Sequence, residues 1–260
     1  MAKVISIFNQ KGGVGKTTTN INLSAALAQK KKKVLIVDID PQGNSTSGLG
    51  VNKQELEYST YDLLIDNVDI KSIVIPTNID RIKLIPSTME LAGAEIELAG
   101  REAREDFLSE SLKKIRADYD YIFIDCPPSL GVLTINALKA SDSVIIPIQC
   151  EYYALEGVSQ LMNTVNLVKK SLNPNIEIEG VVLSMFDGRN NLSLQVVDEV
   201  KKYFGDKVYQ TMIPRNVRLA EAPSYGMSIL EYDARSKGAD AYRLLAKEFL
   251  KAEKKQKEME

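Results

Sequence analysis

The 260-residue chain has no histidine, no tryptophan and only two cysteines. The lack of imidazole excludes a histidine general base, a Ser-His-Asp relay and a histidine-ligated metal. Cys126 and Cys150 each lie in or beside an apolar run and form no CxxC pair, which favours two reduced core thiols in a reducing compartment. Any catalysis must therefore use carboxylates, lysines, backbone amides or an oxygen-bound cation.

Long apolar runs and a strong charge of one sign are also absent. No apolar stretch approaches the roughly 18 residues of a membrane-spanning helix, and the N-terminal MAKVISIFNQ is too short for a signal peptide. The 33 basic and 35 acidic residues leave a net charge of −2, unlike a strongly basic nucleic-acid-binding domain. We expect a cytoplasmic protein without a membrane segment.

Short β-branched runs alternate with longer segments of helical period, which predicts an α/β fold. The predicted strands are Val4–Phe8, Val34–Ile39, Ile82–Ile85, Tyr121–Asp125, Ser143–Ile148, Ile178–Met185 and Val208–Ile213. The predicted helices are Thr17–Gln29, Met89–Arg116 with a break at Gly100, Leu130–Lys139, Ala154–Ser171, Leu192–Phe204 and Ser236 onwards. Because several strands are almost entirely apolar, helices should cover both faces of one doubly wound, mostly parallel sheet. We predict a single domain over residues 1–250 and a charged, frayed C-terminal tail over residues 251–260.

The segment FNQKGGVGKTT, residues 8–18, follows an apolar strand and opens a helix. Glycines let successive backbone amides face phosphate oxygens, and the helix N-terminus adds partial positive charge. Lys16 would reach the β- and γ-phosphates, and the Thr17 hydroxyl would ligate Mg²⁺. The predicted nucleotide contacts in this loop are Lys11, Gly12, Gly13, Val14, Gly15, Lys16, Thr17 and Thr18.

This loop departs from the general phosphate-loop pattern in two ways. Gln10 stands where GxxxxGK[ST] has its first glycine, and Lys11 is a second lysine. A second ammonium in so short a loop cannot easily reach the same phosphates as Lys16. Lys11 is thus a candidate for contacting a nucleotide held by another subunit.

Three aspartates lie at predicted strand ends. Asp40 and Asp125 should overhang the phosphate loop, because ligands of parallel sheets collect at the carboxyl ends of strands. Asp125 would hold Mg²⁺ through a coordinated water. Asp38 shares a strand face with Asp40, and it either joins the site or hydrogen-bonds amides of the following turn.

Five motifs together resemble one family. The KGGxGK[ST] loop, VDIDPQGN at residues 37–44 and FIDCPPS at residues 123–129 are similar to the deviant Walker A group of P-loop NTPases, the ParA/MinD ATPases. MFDGR at residues 185–189 and IPRNVRLAEAPS at residues 213–224 resemble its chromosome- and plasmid-partitioning branch, the ParA/Soj proteins. The resemblance spans nearly the whole chain.

The resemblance also implies roles for single residues. Lys11 would cross a nucleotide-sandwich dimer to the partner's phosphates. Asp40 would position or deprotonate the water that attacks the γ-phosphate, and it is a further candidate for a water-mediated contact to Mg²⁺. Pro214 and Asn216 would contact adenine, and Glu151 would reach the nucleotide from the partner subunit. The predicted catalytic residues are Lys11, Lys16 and Asp40.

The near-neutral charge is unevenly distributed, since residues 189–260 carry a net charge of +3. In the partitioning family this part gathers basic side chains on a face that dimerisation completes. Such a face would bind phosphates without reading bases, so binding would be sequence-independent and salt-sensitive. The residues at these positions are Arg189, Lys201, Lys202, Arg215, Arg218, Arg243 and Lys247.

The predicted function is that of a DNA-segregation ATPase with weak intrinsic ATP hydrolysis. An ATP-dependent homodimer would bind double-stranded DNA nonspecifically, associate with the nucleoid, and leave when a ParB/Spo0J-type centromere-binding protein stimulates hydrolysis. A role in regulating replication initiation stays open. The alternative is a MinD-like, membrane-associated ATPase that positions cell division, but the C-terminal KAEKKQKEME has almost no apolar face to enter a membrane.

Overall fold

The computed structural model describes residues 1–151 and 154–258, and within them seven strands form one sheet. The order across the sheet is β3-β4-β2-β5-β1-β6-β7, and every neighbouring pair is parallel except β3 with β4. The strands are β1 (Lys3–Ile7), β2 (Val34–Asp38), β3 (Ile75–Pro76), β4 (Ile82–Ile85), β5 (Tyr121–Asp125), β6 (Ser143–Gln149) and β7 (Glu177–Ser184). The predicted doubly wound, mostly parallel sheet is confirmed.

Helices cover both faces of the sheet. They are α1 (Lys16–Gln29), α2 (Asn44–Gly48), α3 (Thr60–Ile65), α4 (Ile70–Ile73), α5 (Leu91–Leu98), α6 (Phe107–Lys113), α7 (Val132–Ala140), α8 (Ala154–Ser171), α9 (Asn191–Phe204), α10 (Val217–Glu221), α11 (Ile229–Tyr232) and α12 (Lys237–Lys257). Helices α3 to α9 pack on one face, and α1, α2 and α10 to α12 pack on the other. No helix among the described residues is long and apolar enough to cross the bilayer.

The central strands are apolar on both sides because each side enters a different core. In β5, Ile122 and Ile124 belong to the core under α3 to α9, whereas Tyr121 and Phe123 belong to the core under α1 and α12. Side chains of a strand alternate between the two faces of the sheet, so neither face of β5 meets water. The predicted bounds of β4, β5 and α8 agree with the structure.

The long helix predicted over Met89–Arg116 is two helices, α5 and α6, joined by residues 99–106. Gly100 lies in this connection, as predicted, and Ala103 has a left-handed φ of 51°, which a continuous α-helix cannot contain. The break lets α5 and α6 pack separately against α7, so that both bury leucines in the same core.

The strand predicted over Val208–Ile213 is wrong. The segment runs beside β7 without forming a regular strand: it makes two isolated bridges, Val181 with Val208 and Phe186 with Pro214, and the amides of Tyr209 and Ile213 donate to β7 carbonyl oxygens at 3.0 and 2.8 Å. Between these bridges, the amides of Gln210 and Thr211 donate to the carboxylate of Glu248 on α12, at 2.6 and 3.0 Å. Glu248 thus takes two backbone donors in the middle of the segment, where the pairing with β7 is interrupted.

Helix α12 begins one residue after the predicted start at Ser236 and continues to Lys257, so it includes most of residues 251–260, for which a frayed tail was predicted. Residues 259–260 lie outside the described residues. Glu253 anchors this extension: the residue is only 5% exposed, and its carboxylate accepts a hydrogen bond from Lys3 at the start of β1. Lys3 also pairs with Glu179 of β7 at 2.7 Å. These ion pairs hold the end of α12 against the sheet.

Replacing Glu248 should detach the segment between the two bridges from α12. In Glu248→Ala, two backbone amides lose a charged acceptor, so we expect a loss of about 1–2 kcal/mol in the free energy of unfolding, measured by urea denaturation. The amides of Gln210 and Thr211 should also exchange hydrogen faster. Glu258→Ala, another substitution on the same C-terminal region, is the control and should change neither quantity; unchanged exchange in Glu248→Ala would contradict the assignment.

Candidate active site

The loop between β1 and α1 forms an open cradle at the carboxyl end of a central strand. Gly13 and Gly15 have left-handed φ values of 73° and 88°, which favour glycine. A Cβ atom built on Gly12 or Gly13 would meet no atom within 4 Å, so the space above the loop is free. Gly15 is the N-cap residue of α1 and has no side chain that could accept from the first amides of the helix. These amides are therefore available to an anion.

Lys16, the first residue of α1, is 7% exposed, and its ammonium donates to the carbonyl oxygen of Lys11 at 3.1 Å. Burial lowers the pKa of Lys16, while the nearby carboxylates of Asp125 and Asp40 oppose this shift. A buried ammonium with one neutral acceptor is undersupplied with partners. A phosphate oxygen placed in the cradle can supply the missing negative charge.

Asp125 lies beside this lysine because β5 pairs with β1 and β2, in register with Ile7 and Asp38. Its Oδ2 atom accepts hydrogen bonds from the hydroxyls of Thr17 and Ser45, both at 2.7 Å. Its Oδ1 atom is buried and has no partner. Burial raises the pKa of Asp125 to about 6.

These residues fit a bound Mg²⁺. The unpartnered Oδ1 of Asp125 is the kind of buried oxygen that needs a cation or a coordinated water. The Thr17 hydroxyl is bonded to the other oxygen of the same carboxylate, Oδ2, so an alcohol oxygen and a carboxylate group lie together beside the phosphate cradle. Both are hard oxygen ligands, which Mg²⁺ prefers.

Asp38 is fully buried and serves the turn that follows β2. Its Oδ2 atom accepts from the amide and the hydroxyl of Thr46, both at 2.8 Å, and its Oδ1 atom accepts from the amide of Asp40 at 3.3 Å. Burial and the neighbouring Asp125 raise the pKa of Asp38 to about 8. Of the two roles left open by the sequence, the structure shows the amide-binding one.

Asp40 lies near Lys16 and Asp125, since its negative charge raises the pKa of both groups. Its Oδ1 atom accepts from the amide of Gln42 at 2.9 Å, and its backbone oxygen accepts from the hydroxyl of Ser87 at 2.8 Å. These contacts hold the carboxylate at the edge of the cradle.

The end of β7 lies beside the phosphate loop and close to the residues predicted to contact adenine. The Ser184 hydroxyl donates to the carbonyl oxygen of Val14 at 2.8 Å, and the bridge at Pro214 places Asn216 beyond the end of β7. The Asn216 side chain caps α10 by accepting from the amide of Arg218 at 2.9 Å. Pro214 and Asn216 thus lie beside the β7 end that contacts the phosphate loop.

Most of the predicted DNA-binding side chains are paired with carboxylates. The pairs are Arg189 with Asp187, Lys202 with Glu199, Arg215 with Glu151, Arg218 with Glu221 and Arg243 with Asp240. Lys201 and Lys247 form no ion pair within the described part of the chain, and Lys247 lines a groove of about 950 Å³ beside Pro214. These arginines fall into two groups. Arg189 and Arg215 both lie near Asp187 and lower its pKa. Arg218 contacts the carboxylate of Asp233, and Arg243 donates to the neighbouring carbonyl oxygen of residue 234.

Sequence reasoning missed the hydroxyl groups around the carboxylates. Ser45 and Thr46 directly follow the VDIDPQGN motif, so their proximity to it was the signal that could have identified them. No sequence signal marks Ser184, because its contact with the loop depends on how β6 and β7 extend the sheet beside β1.

The raised pKa of Asp38 predicts how stability depends on pH. Between the pKa of the unfolded chain, about 4, and the folded value of about 8, the folded state keeps a proton that the unfolded state has lost, so stability falls as the pH rises. Asp38→Asn cannot ionise and keeps an oxygen for Thr46. Without nucleotide and metal, it should lose less stability than the wild type between pH 6 and 8, measured by urea denaturation. Asp187→Asn is the control: the pKa of Asp187 is lowered to about 2, so this carboxyl group does not titrate between pH 6 and 8. Equal slopes of stability against pH for Asp38→Asn and the wild type would contradict the prediction.

Comparison with known proteins agrees with this geometry. Residues 2–178 match the family described as AAA domain. The chain is 61% identical over 248 residues to the sporulation initiation inhibitor protein Soj of Bacillus subtilis (strain 168), covering 95% of this chain and 98% of that protein. It is 51% identical over 251 residues to the chromosome partitioning protein ParA of Myxococcus xanthus (strain DK1622), covering 96% and 89%.

A solved structure shows the same fold with ligands bound. Cobyrinic acid a,c-diamide synthase from Mycobacterium smegmatis, with ADP and magnesium, has a TM-score of 0.86 and 37% identity, covering 98% of this chain and 96% of that chain. The likeness confirms the predicted P-loop NTPase fold. Its phosphate loop, its aspartates and its 61% and 51% identity to Soj and ParA over nearly the whole chain show that the chain belongs to the ParA/Soj family of partitioning ATPases.

Proposed function

We propose that the protein is a DNA-segregation ATPase that hydrolyses ATP with Mg²⁺ and uses the nucleotide to control a homodimer. The observation that carries the proposal is the cluster of Lys16, Thr17 and Asp125 beneath an open phosphate loop. The similarity to Soj of Bacillus subtilis and to the chromosome partitioning protein ParA of Myxococcus xanthus, over most of the length of each, supports the cellular role.

The loop and α1 would bind the phosphates. The ammonium of Lys16 would exchange the Lys11 carbonyl for β- and γ-phosphate oxygens, and the amides of residues 12–18 would donate to the same oxygens. Thr17 and Asp125 would hold Mg²⁺, directly and through a water. When bound, Mg²⁺ neutralises charge that develops on the phosphate oxygens.

Asp40 would orient the attacking water. Its Oδ1 atom is engaged by the Gln42 amide, which fixes the direction of the carboxylate and leaves Oδ2 to accept a proton from water. Positioning and charge neutralisation supply most of the rate enhancement in phosphoryl transfer, so this chemistry needs no histidine.

Lys11 would act on a second copy of the chain. Its amide and carbonyl are both hydrogen-bonded inside its own loop, whereas its ammonium has no hydrogen-bond or ion-pair partner in the part of the chain that the structure describes. A side chain whose backbone is fixed and whose charge is unpaired suits a contact across a dimer interface. Glu151 would reach the partner's nucleotide only after leaving Arg215.

The dimer would bind DNA through its exposed basic side chains. Their ion pairs are solvent-exposed and therefore weak, so DNA phosphates can replace the carboxylates. Two modest patches on one dimer bind far better than one patch, because the second contact is intramolecular. ATP would thus control DNA binding and nucleoid association, and a ParB/Spo0J-type partner would end both by stimulating hydrolysis.

The two lysines of the loop should fail differently when they are removed. Lys16→Ala loses the phosphate contact and should weaken ATP binding at least about a hundredfold, because a buried charge pair is lost. Lys11→Ala should bind ATP like the wild type but stay monomeric, as measured by titration with a fluorescent ATP analogue and by analytical ultracentrifugation. An ATP-dependent dimer of Lys11→Ala would refute the role of Lys11 across the interface.

Asp40→Ala should bind ATP, hydrolyse it at least about a hundredfold more slowly, and accumulate as a DNA-bound dimer. The measurement is sedimentation with ATP and either random-sequence DNA or anionic lipid vesicles. DNA-dependent sedimentation supports the partitioning role, and vesicle-dependent sedimentation supports the MinD-like alternative. Near-normal ATP turnover would exclude Asp40 from the reaction.

The control for DNA binding is Asp40→Ala combined with Arg218→Glu. This variant should dimerise with ATP but lose most of the DNA-bound fraction, because the Arg218 side chain is more than half exposed and DNA phosphates can replace its carboxylate partner. Retained, salt-sensitive DNA binding would place the binding surface elsewhere.

A further inference from the structure

We propose that Gln10 and Thr164 are a positioning pair that sets the orientation of Lys11, an inference that rests on the proposed role of Lys11 across a dimer interface. Gln10 occupies the position where the general phosphate-loop pattern has glycine. Its side-chain amide donates to the hydroxyl of Thr164 at 3.0 Å. Glycine has no side chain and cannot make this contact. The glutamine that stands in its place therefore links the phosphate loop to α8.

Thr164 is 6% exposed and uses both functions of its hydroxyl. The hydroxyl donates to the carbonyl oxygen of Gln160, one turn earlier in α8, at 3.1 Å. Its lone pair accepts from Gln10. Serine can make both bonds, whereas valine, which has nearly the same shape as threonine, can make neither. The bond therefore has a fixed direction and orients the Gln10 side chain.

Asn9 makes a second attachment on the other side of Gln10. Its side-chain amide donates to the carbonyl oxygen of Pro147 in β6 at 2.8 Å, and its Oδ1 atom accepts from the amide of Lys11 at 3.0 Å. The three residues before Gly12 are thus tied to β6, to α8 and to each other. The Lys11 carbonyl accepts from Lys16, and the Asn9 bond holds the Lys11 amide even when Lys16 turns to phosphate oxygens, so the side chain is the part of Lys11 that can reach outward.

Helix α8 lies beside the phosphate loop. Val158 and Leu161 of α8 face Asn9, Lys11 and Val14 across a gap of about 20 Å³. The hydrogen bond between Gln10 and Thr164 is a direct polar link between α8 and the residue before Lys11, so it sets the position of this part of the loop relative to α8.

Thr164→Val and Thr164→Ser test the pair. Thr164→Val should bind ATP within about twofold of the wild type, because Lys16, Thr17 and Asp125 are untouched. Its ATP-dependent dimerisation should weaken about tenfold, the effect of losing one buried hydrogen bond. Thr164→Ser should dimerise within about twofold of the wild type. The measurements are nucleotide titration of the monomer and sedimentation equilibrium with ATP.

Gln10→Ala approaches the pair from the loop and does not alter the packing of α8. It should weaken dimerisation as much as Thr164→Val, and the double variant should show no further loss, because both changes remove the same bond. Additive losses would show that the two side chains act separately and would overturn the proposal.

Ser141→Ala is the matched structural control. The Ser141 hydroxyl is also buried and also bonds twice, to the carbonyl oxygen of Ala137 at 2.8 Å and to Ser6 at 2.7 Å, but it lies near the start of β6, at the other end of the sheet. Its loss should lower the melting temperature and leave dimerisation unchanged.

The outcomes separate this inference from the proposed function. A wild-type protein that forms no ATP-dependent dimer would overturn both. A wild-type dimer that Thr164→Val forms equally well, or that Thr164→Ser loses as badly as Thr164→Val, would overturn the positioning pair and leave the proposed function standing.

Discussion

The buried carboxylate of Asp125 joins the segments that make the site. One of its oxygens accepts from Thr17 at the start of α1 and from Ser45 in α2, while its strand lies between β1 and β2. The other oxygen has no partner. Burial disfavours the charge of Asp125 and of Lys16 alike, raising one pKa and lowering the other. A site of this kind is poorly solvated when empty and gains most from a ligand that carries both phosphate charge and a divalent cation.

The sheet separates two kinds of polar structure. At the carboxyl ends of the strands, buried hydroxyls of Ser45, Thr46 and Ser184 hold carboxylates and loop carbonyls in place. At the opposite end, Lys3 joins Glu179 and Glu253 in an ion-paired network that closes the molecule. The first end keeps an unpartnered carboxylate oxygen and open amides for a ligand, whereas the ion pairs at the second end join protein groups to one another and support the fold.

Local sequence pattern predicted the fold well where burial of apolar side chains or intrinsic helix propensity decided the structure of a segment. The bounds of β4, β5 and α8 follow from apolar runs and helical period, and the break at Gly100 follows from a residue that disfavours helix. The pattern failed where a distant side chain competed. Glu248 takes two amides in the middle of the segment predicted as the strand Val208–Ile213. Glu253, bound to Lys3, stabilises a helix where composition predicts a frayed end. Neither contact has a signal within its own segment.

For the site, the sequence by itself determined the phosphate loop, the family and the chemical types available, because glycine, lysine, threonine and aspartate at these spacings encode local backbone geometry and hard-ligand chemistry. Only the tertiary structure decided which oxygen of Asp125 is free, that Asp38 serves Thr46, and that Gln10 meets Thr164. It also showed that Arg189, Arg215 and Arg218 are engaged by carboxylates. These contacts join residues that are distant in the chain or depend on the side chains' final positions, and the order of the parallel strands sets which of them meet.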